Sequence, residues 1–224
     1  MNYSDYEMAF SAVRLNKYRA ACGGDFNKAI NLYRYNIGLC QKFYALLNIF
    51  EVALRNAINR HYKAHLGDEN WLKTQLEPGG ILGEYAQRGS VSKIIDSLYK
   101  QRKYSHDRLV SCVSLGVWTY MFTKVPFYRG GQNLLKVFPY RYAGMGQKAI
   151  YKELLLIKDF RNKIAHHEGI CFDKEGNKNT GFARFHYNLI MKYIYFLGFP
   201  TDELLEGFDV YPEELMRKIE ELAD

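Results

Sequence analysis

The chain has 224 residues, of which 48% are hydrophobic and 16% aromatic, with 19 tyrosines and a formal net charge of +7. That length fits one large domain or two small ones, and that composition supplies a core needing no disulfide or metal staple. The four cysteines, Cys22, Cys40, Cys112 and Cys171, lie far apart with no Cys-x-x-Cys spacing, which excludes a zinc-ribbon pattern and reads as reduced thiols in a cytoplasmic protein.

Taken in order, the chain reads as a series of helices. Ser4 with Glu7 forms a capping box that opens a first helix to about Ala21. Gly23-Gly24 ends it, and Asp25 opens a second that stops near Gly38. A long amphipathic stretch follows from Leu39 to about Leu66, its apolar stripe running through Phe43, Leu46, Leu47, Phe50, Leu54, Ala57 and Ile58. This is the expected spine of a bundle, stopped by Gly67. Further helices are predicted over 71–76, from Ser90 or Ser92 to about 102, over 105–124, 147–167, 182–197, 201–205 and 212–222. The stretch around 126–146 reads as looser. No alternating pattern argues for a sheet, so the fold class is all-α: a helical bundle with a long central helix and additional helices. The expected organisation is one helical domain over 1–200 and a short acidic helical C-terminal extension over 201–224. The polar, acidic N-terminus is unlike a signal peptide, and the longest apolar candidate, Leu189–Phe199, is broken by Lys192. No membrane partner and no cofactor or metal is therefore expected.

The charge is uneven. Residues 201–224 hold nine acids and two bases, leaving the preceding 200 residues at +14. A basic body points to a polyanionic partner. From Arg108 to Lys152 there is no Asp or Glu. This segment carries Lys124, Arg129, Lys136, Arg141 and Lys148, interleaved with Phe127, Tyr128, Phe138, Tyr140 and Tyr142. Cations among aromatic platforms are what unpaired RNA is bound by. Trp118, Tyr120 and Phe122, on a predicted helix, read instead as core, so the contact surface is confined to 124–148.

The chemistry concentrates in D-F-R-N-K-I-A-H-H-E-G-I-C, Asp159 to Cys171, at the end of a predicted helix. Histidine titrates nearest neutral pH, and arginine is the usual partner of phosphate. Arg161 and His166, five residues apart, do not share a face of a regular helix. Asn162 and His166 do, as do Lys163 and His167. A break in the helix or a second subunit could bring Arg161 and a histidine together. The alternative is a helix end whose histidines favour the dipole and the last carbonyls. In the spine, Arg55 and Asn56 form a second Arg-Asn pair. It reads either as a phosphate contact near the cluster or as a structural pair with Glu51, and the apolar stripe on both sides favours the latter.

With these pieces placed, the sequence resembles the Abi-like abortive-infection family of bacterial proteins, a branch of the HEPN superfamily. The matching segments are L-Y-R-Y-N at 32–36, L-L-N-I-F-E-V-A-L-R-N-A-I-N at 46–59, S-L-G-V-W at 114–118 and R-N-K-I-A-H-H-E-G-I at 161–170. The resemblance implies a metal-independent endoribonuclease that acts as a homodimer, in an antiviral or toxin-like role. RNA would be its substrate, and a structured noncoding RNA its regulator. It implies Arg161 and His166 as catalytic with Asn162 supporting; from the residues themselves His167 is the neighbouring catalytic candidate, and Glu51, Arg55, Asn56 and Glu168 are supporting candidates. Gly169 stands where many relatives have proline, which loosens the turn after the motif. Two other classes stay in view: an RNA-binding module that does not cleave, and a helical interaction domain. The acid-free segment argues against the last.

Overall fold

The computed structural model describes residues 3–83 and 86–222. Twelve α-helices follow one another among these residues. They are α1 (Tyr3–Phe10), α2 (Ala12–Ala20), α3 (Phe26–Leu66), α4 (Trp71–Thr74), α5 (Ala86–Lys100), α6 (His106–Cys112), α7 (Leu115–Tyr120), α8 (Lys124–Arg129), α9 (Gln147–Ala165), α10 (Gly181–Phe196), α11 (Thr201–Leu205) and α12 (Glu213–Glu220). A 3₁₀ turn covers Leu134–Val137. The one extended pairing among the described residues is an isolated bridge between Phe172 and Lys178. The protein is thus an all-α bundle built on a long helix.

Several boundaries differ from the sequence expectation, and three of them have a clear physical reason. The first helix breaks at Ser11, which sits at φ +69° and caps α2 by accepting the Arg14 N–H. The helix expected to stop near Gly38 runs straight through it, making α3 a single helix of 41 residues. Gly38 costs the helix about 1 kcal/mol relative to alanine, but a Cβ there would stand 3.1 Å from the Leu215 side chain. It is a close-packing glycine under α12. The helix expected over 105–124 is cut at Val113, which is extended, giving α6 and α7. Within α3 there is also a stretch long and apolar enough by composition to cross a membrane. Its stripe from Leu39 to Ile58 is buried in the protein core.

The chain divides into two compact units, residues 1–48, 159–190 and 205–224 in the first, and 49–158 and 191–204 in the second. The first unit is centred on aromatic contacts. Phe43 meets Phe160 edge-on at 4.9 Å, and Tyr18 meets both Tyr33 and Phe172 at 5.0 and 4.9 Å. His186 stacks on Phe160 with ring centroids 4.2 Å apart. Its Nδ1 lies 2.8 Å from the Phe182 carbonyl. Met216 and Ile219 of α12 are buried in this unit. In the second unit Tyr62, Trp71 and Trp118 form one group of rings, and Phe50, Phe138 and Tyr193 another. Lys192 and Glu153 pair at 2.7 Å, both largely shielded from solvent.

Burial lowers the pKa of His61, His106 and His186. His106 shows why. Its Nε2 is 2.8 Å from Asn59 Oδ1, which also accepts from Trp71 Nε1, and its Nδ1 is buried without a partner. A proton there would add a buried, unsatisfied charge. Since these histidines bind protons more readily unfolded, stability falls as pH drops through about 6.5, their unfolded value. Carboxylates held below their ordinary range, such as Asp68 and Glu220, act only at lower pH. The expected result is a melting temperature that declines between about pH 7 and pH 5. A flat profile across that window would rule the three histidines out as linked groups.

Candidate functional site at the end of the ninth helix

The motif occupies the last turn of α9 and the residues that close it. The helix ends at Ala165. His167 takes the left-handed conformation, φ +58°. Its N–H donates to the Ile164 carbonyl at 3.0 Å, and the Glu168 N–H donates to the Lys163 carbonyl at 2.9 Å. That pair of bonds is a Schellman cap, whose left-handed position is ordinarily glycine. Here it is a histidine. A non-glycine residue held left-handed costs on the order of 1–3 kcal/mol and persists where its surroundings over-determine it. The break also removes the helical-wheel difficulty: beyond Ala165 the chain no longer follows α9, and His167 joins Arg161 on one cavity.

That cavity, of about 830 Å³, lies within the first unit. Arg161, Ile164, Ala165 and His167 line one side, Tyr33, Asn36, Ile37, Cys40, Gln41 and Tyr44 of α3 another, and Arg14 of α2 a third. Two arginines and an imidazole therefore share a hollow with two tyrosines. Burial pushes the Cys40 thiol up to about 11, so it stands in the wall as a neutral group rather than a thiolate nucleophile. Asn36 is buried, and its Oδ1 accepts the Ile170 N–H at 2.9 Å. The 32–36 and 161–170 segments, far apart in sequence, meet at that bond.

The remaining motif residues fall outside the lining. His166 and Asn162 are exposed, joined by the backbone bond from His166 N–H to the Asn162 carbonyl at 2.9 Å. Glu168 pairs with Lys163 at 2.5 Å, and that hydrogen bond holds its carboxyl below the usual range. Gly169 is not a slack position. A Cβ there would come within 2.7 Å of the Phe172 ring and 3.1 Å of the Tyr18 hydroxyl, and both side chains are buried. Gly169→Ala should cost about 1–3 kcal/mol, the usual range for forcing atoms into a packed site. Denaturant unfolding measures it, and an unchanged midpoint would show that the ring gives way.

Glu51, Arg55 and Asn56 belong to the second unit. Arg55 Nη1 donates to the Ser111 carbonyl at the end of α6, 3.2 Å away, while its Nε is buried without a partner. Asn56 is exposed and Glu51 half-buried.

The segment 124–148 also lies in this unit. Phe127 and Phe138 are buried, as are Trp118 and Phe122. Tyr128, Tyr140 and Tyr142 are each more than half exposed. Tyr195, outside the predicted segment, packs beside Tyr140 with centroids 5.3 Å apart and extends the aromatic surface. Lys124, Lys136 and Lys148 are exposed. The two arginines are committed to backbone. Arg129 Nη1 donates to the Gly80 carbonyl at 3.1 Å, and Arg141 Nη1 to the Leu135 carbonyl at 3.0 Å. Among the described residues no three of His, Cys, Asp and Glu are grouped so as to hold a metal ion.

Sequence reasoning did not place Arg14, Tyr33 or Tyr44 at this site. Only the 32–36 segment, quoted for its resemblance, pointed to that wall. In the sequence Arg14 reads only as one of the bases on the first helices, with nothing to tie it to the motif.

An all-helical protein with an arginine–histidine cavity at a capped helix end is the class that fold and site define. A family model described as Abi-like protein matches residues 1–171, a span that includes the whole motif and stops at Cys171. The chain belongs to the Abi-like protein family. No curated protein and no solved structure matches it.

Proposed function

We propose that this protein is an abortive-infection effector that cleaves RNA at the cavity shared by Arg161 and His167. The observation carrying the reading is that juxtaposition: a group able to move a proton near neutral pH, beside guanidinium groups suited to a phosphodiester. The imidazole takes the proton of a ribose 2′-OH. The 2′-oxygen then bonds to the adjacent phosphorus as the bond from phosphorus to the 5′-oxygen breaks, and that oxygen takes a proton from water, to which the imidazolium later returns its own. The products are a 2′,3′-cyclic phosphate and a free 5′-hydroxyl. Arg161 offsets the charge that grows on the phosphoryl oxygens. The HEPN reading of the motif supports the same chemistry and a homodimeric enzyme, with RNA as substrate and a structured noncoding RNA as regulator. The test is to incubate the purified protein with unstructured RNA and sequence the cut ends. Cyclic phosphates lost in Arg161→Ala support the reading, and intact RNA under all conditions counts against it. The exposed tyrosines and lysines of the second unit favour a second reading, in which the protein binds RNA without cutting it. RNA that copurifies with uncut ends would favour that one.

A further inference from the structure

We propose that Arg14 is a positioning residue for His167, a part of the site that the motif itself does not encode. The proposal rests on the cleavage reading for the role of His167, and on geometry for everything else. The peptide group joining His167 to Glu168 is held at both ends. Its N–H, from Glu168, donates to the Lys163 carbonyl at 2.9 Å. Its carbonyl, from His167, accepts from Arg14 Nη1 at 3.2 Å. The first bond belongs to α9. The second comes from 153 residues away in sequence. Between them they fix the plane that follows the left-handed residue, and so the direction in which the imidazole leaves the chain.

Arg14 is itself well placed to do this. It lies one turn into α2, and its N–H is capped by the Ser11 hydroxyl at 3.4 Å. Leu15 and Tyr18, on the next positions of α2, are buried. Tyr18 packs on Phe172, and Lys17 Nζ stands 4.3 Å above the same ring. The helix is therefore clasped to the segment just after the motif, and Arg14 reaches the cap from a fixed base. Arg14 is exposed, so a structural purpose alone explains little: a single exposed hydrogen bond contributes little to stability. The left-handed cap supplies another purpose, since strained backbone at a working residue needs its surroundings to hold it.

A guanidinium in this cavity has a competing role, direct contact with a substrate phosphate. The two roles separate kinetically, because losing a phosphate ligand weakens binding whereas a misplaced imidazole slows the chemical step. The experiment compares the parent with Arg14→Ala and Arg14→Lys by two readouts. The first is amide hydrogen exchange at Glu168 without RNA, and the second is kcat and KM on an unstructured RNA. In Arg14→Ala the Glu168 amide should exchange about tenfold faster as the cap opens locally. Its kcat should fall about 10–100-fold, the effect of a small misplacement, with KM little changed. Arg14→Lys, whose ammonium can donate to the same carbonyl, should restore most of both. Unchanged exchange at Glu168 overturns the proposal. So does a rise in KM at constant kcat, which would make Arg14 a phosphate ligand. Should the parent itself leave RNA intact, the cleavage reading fails, while the exchange measurement still decides whether Arg14 holds the cap.

Discussion

His167→Gly is expected to abolish RNA cleavage in a protein at least as stable as the parent. The two effects come from different parts of one residue. In the proposed reaction the side chain supplies the proton transfer, and general acid–base help is worth about 10²–10⁴-fold in rate. The backbone supplies the left-handed turn at φ +58°, which glycine adopts without steric cost. Relief of that cost favours the variant by on the order of 1 kcal/mol, and the greater freedom of glycine in the unfolded chain returns about 0.4–1 kcal/mol. The net change in stability is small or positive. His167→Ala, by contrast, loses the imidazole and keeps the strain. His166→Ala serves as the comparison, since that side chain does not line the cavity. It should retain at least about a tenth of parent activity, well above the loss expected when a general base is removed. Cleavage rates and thermal melts on the three variants check this. Full activity in His167→Gly, or its collapse in His166→Ala alone, would move the role to His166, the histidine that the family resemblance favours.

How much of this was legible in the sequence follows from what kind of signal each feature leaves. The spine of α3 was plain from its apolar stripe, because burial of Leu39 to Ile58 imposes a 3.6-residue period that no loop reproduces. Its continuity was not. Gly38 reads as a stop by propensity, and only the Leu215 side chain against it explains why the helix accepts that small penalty and continues. The breaks at Ser11 and Val113 were hidden for the opposite reason: helical periodicity persists on both sides of each, and a single residue changes conformation. At the site, the residue types were legible and their arrangement was not. Arg161, His166 and His167 are the residue types of a phosphate site, but a helical wheel sets Arg161 apart from either histidine. The left-handed cap that resolves this falls on a histidine where glycine would have advertised it. Arg14 could be read as a base of the first helices but not tied to the motif, because what joins them is one bond to a backbone carbonyl.

RNA binding should weaken steeply with salt, and replacing Lys124, Lys136 and Lys148 together by glutamine should flatten that dependence. Each phosphate neutralised on a single strand releases counterions, which lowers the log–log slope by about 0.7. Leaving three phosphates without their lysines should therefore flatten it by about 2. These three are the informative cations of the segment because all are exposed. Arg129 and Arg141 are poor probes, since their guanidinium groups hold the Gly80 and Leu135 carbonyls and their removal would disturb the loops themselves. Stability should hardly change in the triple variant, since exposed charges contribute about 0–1 kcal/mol each. The tyrosines provide the complementary experiment. Replacing Tyr128, Tyr140 and Tyr142 by alanine removes stacking surface, worth about 1–3 kcal/mol per base. It removes no charge, so binding should weaken by a similar factor at every salt concentration with the slope preserved. His167→Gly should leave the slope as it is, because it removes none of the three lysines. The three variants thus divide electrostatic contact, stacking and chemistry among separate observables. If the lysine variant binds with the parent's slope, the body's charge of +14 acts elsewhere, and the exposed bases of α2 and the start of α3 – Lys17, Arg19 and Arg34 among them – are the next to replace.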